Sequence, residues 1–186
     1  GFDGAWETRR LGEVFDLLST ANNSRKDLSD YGDVAYIHYG DIHTFPQTHL
    51  DLRRDSLPFI DSTKVENATP LQNGDLIMVD ASEDYEGVGK SVEVSGLNGQ
   101  QAVAGLHTFL LRGDDAFLAN KFKGYLQHMP VLKEELHRIA TGTSVYGISK
   151  IKIKEVELRL PPVEEQKAIA EILADMDAEI EALEAR

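Results

Sequence analysis

The chain has 186 residues, 41% hydrophobic and 27% charged, a composition that suits one globular domain and excludes wholesale disorder. It has no cysteine, so disulfides, thiolate metal sites and thiol nucleophiles are excluded. The net charge of −13 argues against a simple autonomous DNA binder, because DNA affinity rests on Lys and Arg neutralising phosphates.

In chain order, Trp6–Leu18 reads as a short amphipathic opening, with Leu11, Val14, Phe15 and Leu18 at helical spacing. Ala21–Asp33 is polar and turn-rich. Val34–Tyr39 reads as a strand that stops at Gly40-Asp41, and Gln47–Thr69 carries few signals beyond Pro58. The turn Asn73-Gly74-Asp75 opens the apolar run Leu76–Val79, the clearest strand. A Gly- and acid-rich loop over Ser82–Lys90 leads to a short strand at Val92–Val94. After a turn at Gly96–Gly99, Ala102–Arg112 is one long strand or a pair. Asp115–Ile139 is helical by periodicity, with Asp114 or Asp115 as N-cap, and Pro130 should break it into two helices. Thr141–Gly147 is a loop of small residues, Ile148–Ile153 starts a new element, and Val156–Leu160 is a strand closed by Pro161-Pro162.

The last segment is the clearest periodic feature. Ile169, Leu173, Met176, Ile180 and Leu183 are spaced 4, 3, 4, 3, a heptad seam. Pro162 and the Glu164-Glu165 pair suit a helix N-terminus. An amphipathic helix folded onto its own domain explains this pattern, and so does a helix that meets a partner. The acidic opposite face favours the partner. Eight of the 32 acids but only two of the 19 bases follow Pro161. The remaining bases cluster, as at Arg53-Arg54 and at Lys150, Lys152 and Lys154, and leave room for local positive spots.

No apolar stretch approaches the ~20 residues of a membrane span and no signal-peptide layout opens the chain, so a cytoplasmic location is expected. Glu86-Gly87-Val88-Gly89-Lys90-Ser91 suggests a phosphate loop but lacks the earlier glycine, where Asp84 stands. It also carries carboxylates toward the would-be phosphate and runs into a strand instead of a helix. The acids Asp75, Asp80, Glu83, Asp84 and Glu86 raise a metal-dependent nuclease, yet the only Glu-x-Lys lies at Glu165–Lys167 in the terminal helix. His38, His43 and His49 with Asp41 match no metal-ligand spacing, and read instead as loop histidines that stay solvated or touch DNA.

Four patterns, in order, carry a resemblance. They are Trp6 with Leu11-Gly12-Glu13; Tyr36-Ile37 with Gly40-Asp41-Ile42; Asn73-Gly74-Asp75-Leu76-Ile77; and Leu160-Pro161-Pro162 with Glu165-Gln166 and Ile169-Ala170. Together the chain resembles type I restriction–modification specificity subunits, over nearly its whole length. The resemblance implies a mixed α/β target-recognition domain with a mixed twisted sheet and short helices (1–160), then a long coiled-coil-type helix for dimerisation or spacing (161–186). It implies sequence-specific reading of one half of a bipartite site on double-stranded DNA, with no active site. S-adenosylmethionine, ATP and Mg would then belong to the partner modification (methyltransferase) and restriction subunits. Members usually carry two recognition domains and two helices. This chain has one of each, either as a natural half-subunit that homodimerises or as part of a longer chain.

On that reading, the DNA-contact candidates are Lys90, beside a glycine in a loop, and Thr143, Ser144, Tyr146, Ser149 and Lys150 in the hydroxyl- and glycine-rich segment 141–150. That segment could approach phosphates, with Tyr146 stacking or wedging. His38, Tyr39 and Arg112 are candidates for reading bases. The helix residues Glu165, Gln166, Ile169, Leu173, Met176, Ile180 and Leu183 are the candidate surface for a partner subunit or a second helix. Two other classes compete: a coiled-coil adaptor without DNA specificity, and a metal-dependent nuclease.

Overall fold

The computed structural model describes residues 5–184. The opening departs from expectation. Trp6–Leu18 forms strand β1 (Glu7–Arg10), a single helical turn α1 (Leu11–Val14) and strand β2 (Phe15–Leu18). One turn is enough to bury Leu11 and Val14. Helix beyond it loses to a long-range ladder, because β2 pairs antiparallel with Leu110–Gly113.

Next come β3 (Val34–Ile37), buried throughout, and helix α2 (Tyr39–Thr44) in place of the expected stop at Gly40-Asp41. A reciprocal cap starts α2. His38 Nδ1 accepts the Gly40 N–H at 3.1 Å, and the Asp41 carboxylate accepts the His38 N–H at 3.0 Å. The sparse segment 47–69 contributes β4 (His49–Asp51) and β5 (Phe59–Ile60). Then follow β6 (Leu76–Val79), β7 (Ala81–Ser82), β8 (Ser91–Ser95), β9 (Gln101–Ala104) and β10 (Thr108–Gly113). The apolar run 102–112 is therefore a pair of strands that turns at His107.

Of the two helices expected across Asp115–Ile139, only the second is an α-helix. It is α3 (Pro130–Ile139), with Pro130 in the first turn, where its missing N–H costs nothing. The first is a run of 3-10 turns at Lys123–His128. Two inward contacts account for the tighter turns. A Cβ on Gly124 would lie 2.7 Å from the Thr48 carbonyl, and the buried Lys123 ammonium sits 3.5 Å from the buried Glu93 carboxylate. The chain closes with β11 (Tyr146–Gly147), α4 (Lys150–Lys154), β12 (Glu157–Leu160) and α5 (Val163–Glu184).

A five-stranded mixed sheet, β2-β10-β6-β8-β4, is the centre of the fold, with only β4 and β8 parallel. Side chains alternate across it. Leu76, Met78, Phe109 and Leu111 enter a core shared with Leu118, Phe122, Leu132, Leu136 and Ile153. Ile77, Val79 and Leu110 enter a second core with Ala35, Ile37, Ala102 and Ala104 of the three-stranded sheet β5-β3-β9. Two further pairs, β1-β12 and β7-β11, tie distant segments together.

Helix α5 divides into a packed root and a projecting tip. At the root, Gln166 is fully buried. Its Nε2 donates to the carbonyls of Phe117 (2.7 Å) and Pro161 (2.8 Å), and its Oε1 accepts the Ala119 N–H (2.9 Å). Ala170 is buried beside it, and Ile169 and Leu173 pack on the first core. The expected seam is thus split. Ile169 and Leu173 serve the domain, while Met176, Ile180 and Leu183, joined by Ile172, stay more than half exposed at the tip. Gln166 has no surface left for a partner and anchors the helix instead.

Candidate nucleic-acid interface

Three separate segments meet on one ring-lined face, to which the β9-β10 turn adds His107 and α3 adds His137. The first is α2 with its cap. The His38 and Tyr39 rings stand 4.4 Å apart, and Tyr39 is edge-on to His43 at 5.7 Å and to His107 at 5.4 Å. The second is the loop between β7 and β8, where the Tyr85 ring lies 4.5 Å from His137 and 5.0 Å from Tyr146. The third is the segment 141–150, joined to the second by the short ladder in which Tyr146 faces Ser82.

The second segment clamps the other two. Gly87 packs on the His43 ring so closely that a Cβ there would lie 2.5 Å from Cε1. The Tyr85 hydroxyl donates to the His137 carbonyl at 3.0 Å, and the Ile148 N–H donates to the Asp80 carbonyl at 2.8 Å. The loop from Thr141 to Gly147 is itself closed by a reciprocal pair of backbone bonds, at 3.0 and 2.9 Å. Gly142 permits that closure, with φ at +148° and the Val145 carbonyl where a side chain would begin.

Burial sets the electrostatics. It pushes the His38 and His43 imidazoles below their ordinary values, helped by Arg25 and Lys90 respectively, and pushes the Asp80 carboxyl up against the pull of His107. Burial also pushes Lys90 down, although its ammonium donates to the carbonyls of His43 and Phe45, 2.9 Å each.

Of the residues proposed from sequence, the structure brings His38, Tyr39, Lys90, Tyr146, Ser149 and Lys150 to this face, with Thr143 and Ser144 exposed at the tip of the adjoining loop. Two of them have other work. Lys90 holds the end of α2, and Ser149 caps α4 by accepting the Lys152 N–H at 3.2 Å. Arg112 lies elsewhere. It forms a bidentate pair with buried Asp75, at 2.9 and 2.8 Å, and donates to the Pro70 carbonyl at 3.1 Å, which closes the turn before β6. His43, read from sequence as a loop histidine that is solvated or touches DNA, also lies here, and the residues that sequence reasoning missed as members of this face are Asp80, Tyr85, His107 and His137. One signal was available for His107, a lone polar residue between two apolar runs. His43 shares α2 with Tyr39, four residues away, while Asp80, Tyr85 and His137 join the face through tertiary contacts that leave no local mark.

Beside α5 runs a groove of about 600 Å³, walled by β4, the ends of β8 and the helix tip. Its two arginines are paired with acids of the groove or its rim, while Lys121 also lines it. Arg53 pairs with Asp51, and Arg54 lies 3.6 Å from Asp55 and 3.8 Å from Glu181. Tyr125 donates to Asp177 at 2.8 Å, tying the helix to the groove floor. Among the described residues no group of three or more His, Asp or Glu is placed to hold a metal ion, and no helix is long and apolar enough to cross a membrane.

The profile of a family described as "Type I restriction modification DNA specificity domain" matches residues 4–186. A protein assigned as the type I restriction enzyme MjaX specificity subunit of Methanocaldococcus jannaschii is 24% identical over 187 residues, covering 92% of this chain and 39% of its own length. The S subunit of a type I restriction-modification system from M. genitalium superposes with a TM-score of 0.66 at 18% identity, over 100% of this chain and 42% of that one. The HsdS subunit of Thermoanaerobacter tengcongensis gives 0.63 at 20%, over 100% and 40%. A chain from a structure on complex assembly and conformational transition of the type I R-M system gives 0.67 at 20%, over 96% and 40%. At these identities the solved structures share the fold, and this chain spans about two-fifths of the length of each relative.

Proposed function

The chain belongs to the type I restriction modification DNA specificity domain family, and from that premise we propose that it reads one half of a two-part sequence on double-stranded DNA. The observation that carries this reading is the ring-lined face. Three segments far apart in sequence converge there on planar side chains and a free ammonium, the groups that contact bases and phosphates. In this reading the chain is non-catalytic. Methyl transfer and cleavage, with S-adenosylmethionine, ATP and Mg, belong to modification and restriction subunits, and the chain sets where they act.

The tip of α5 supports a second half. Ile172, Met176, Ile180 and Leu183 form an exposed apolar stripe that an antiparallel copy of the same helix would cover. A two-fold dimer then reads a symmetric site, as dimeric DNA readers do. The surface acids predict weak binding by the isolated chain and stronger binding once the modification subunit shares the phosphate contacts.

The test is to express the full chain with its modification subunit in cells and map methylated bases across the genome. A single recurring bipartite motif supports the reading. Methylation absent, or scattered without a motif, sinks it. Replacing Met176 and Ile180 by Asp should halve the sedimenting mass, and an unchanged mass refutes the dimer.

A further inference from the structure

One residue of the ring-lined face is set apart by how its backbone is held. His107 turns the chain between β9 and β10 with φ at +56°, the left-handed region that residues with a Cβ seldom occupy. The turn is fastened on both sides. The Asp80 N–H donates to the His107 carbonyl at 3.1 Å, and the Thr108 hydroxyl donates to the Gly105 carbonyl at 2.6 Å. Asp80 is fixed in turn by the Ile148 N–H on its own carbonyl. The imidazole therefore projects from a rigid hairpin, with its side chain about 47% exposed.

Two neighbours set the rotation of the ring. Its Nδ1 lies 3.6 Å from the Asp80 carboxylate, and Tyr39 meets it edge-on at 85°. A carboxylate near one ring nitrogen favours one direction of the imidazole and leaves the other nitrogen for a ligand. Here that other nitrogen is Nε2.

Several other polar groups of the face are engaged by the protein. Lys90 grips two carbonyls, His38 Nδ1 caps α2, the Tyr85 hydroxyl is bonded to His137, and Ser149 caps α4. The His43 Nε2 and His137 Nε2 atoms are buried. Lys150 is exposed but is a flexible point charge, suited to phosphate and carrying no base information. His107 joins a planar hydrogen-bonding edge, exposure and an imposed orientation, which base reading requires.

We propose that His107 is a specificity-determining residue of this chain, presenting Nε2 to a base edge in the major groove, with Asp80 and Tyr39 as its positioning residues. This rests on the DNA-reading function above. It adds that one position of the recognised half-site is set by a single imidazole.

The test is selection from a random duplex library by the full chain assembled with its modification subunit, followed by sequencing of the bound pool. His107→Asn is the informative variant, because Asn accepts the left-handed turn better than most residues. His107→Gly is the second, should the first fail to fold. With wild type selecting a motif, either variant should flatten preference at one position by roughly five-fold or more, the worth of one hydrogen bond. The rest of the motif and the affinity for random DNA should hold within about two-fold, since the phosphate contacts are untouched. Asp80→Asn should weaken the same position, and Lys150→Ala should lower binding to every sequence alike. An unchanged motif in both His107 variants overturns the inference and leaves the DNA-reading function intact. A wild-type complex that selects no motif overturns the function itself.

Discussion

The ring-lined face and the groove beside α5 are two surfaces that could meet DNA, and they differ in what their charges are already doing. The groove is a cavity of about 600 Å³ and holds three bases, Arg53, Arg54 and Lys121. Yet Asp51, Glu93, Asp177 and Glu181 line it too, and both arginines face carboxylates. A polyanion entering it would gain little and meet four acids. The ring-lined face has fewer bases, but Lys150, Tyr39 and His107 project with groups to offer. Cavity size and a count of bases favour the groove, whereas the proposed reading favours the face whose exposed Lys150 ammonium is not held by a carboxylate.

The comparison can be broken from either side. The largest effect concerns the groove's helical wall, which depends on Gln166. Gln166→Ala leaves two buried carbonyls and one N–H without partners, which costs about 3 kcal/mol. Urea unfolding should show that loss, and a loss under about 1 kcal/mol means the root is not anchored as described. Next is Gly87→Ala, which drives a methyl onto the His43 ring and Ser82. A stability cost of about 1–3 kcal/mol is expected, together with DNA binding weakened several-fold because the clamp between α2 and the loop loosens. Unaltered binding would detach the clamp from function.

Smaller effects separate the two surfaces directly. Lys150→Ala should lower the slope of log affinity against log salt by about 1, one phosphate contact. Arg53→Ala and Arg54→Ala should leave that slope and the affinity unchanged within about two-fold, and a matching loss from either would move the interface into the groove. The smallest effect is a pH response. The Arg53 guanidinium beside Asp51 holds its carboxyl down to about 2 from an ordinary 3.8. A depressed carboxylate stabilises the fold above its unfolded value and loses that contribution as pH falls toward about 2. Asp51→Asn should therefore flatten acid destabilisation between those values, and an unchanged acid profile would mean that Arg53 is freer than drawn.

The sequence pattern disclosed the parts of the fold whose burial is local. Leu76–Val79 is apolar on both faces because it is sandwiched between two cores, and a short apolar run after Asn-Gly-Asp signals that. Pro130 marked a true boundary. The pattern misled where long-range pairing overrode local spacing. Leu11, Val14, Phe15 and Leu18 fit a helix, but β10 takes the second half of that stretch as a strand. The first half of 115–139 repeats at helical spacing, yet close approach at Gly124 and the buried Lys123–Glu93 pair tighten it to 3-10 turns. Periodicity in α5 was real and still did not tell one partner from two, since Ile169 and Leu173 bury against the domain while Ile180 and Leu183 do not. At the candidate site, hydroxyl- and glycine-rich composition pointed to 141–150. Nothing in composition joins Tyr146 to Tyr85, or His107 to Asp80. Only the β7-β11 ladder and the β9-β10 turn do that.

The most direct test of the central claim is photo-crosslinking of the full chain, assembled with its modification subunit, to a pool of random-sequence duplexes, with the crosslinked peptides identified by mass spectrometry. Crosslinks should fall on peptides carrying Tyr39, His107 and Tyr146. Crosslinks concentrated instead on the peptides carrying Arg53, Arg54 and Lys121 would contradict the account and make the groove the interface.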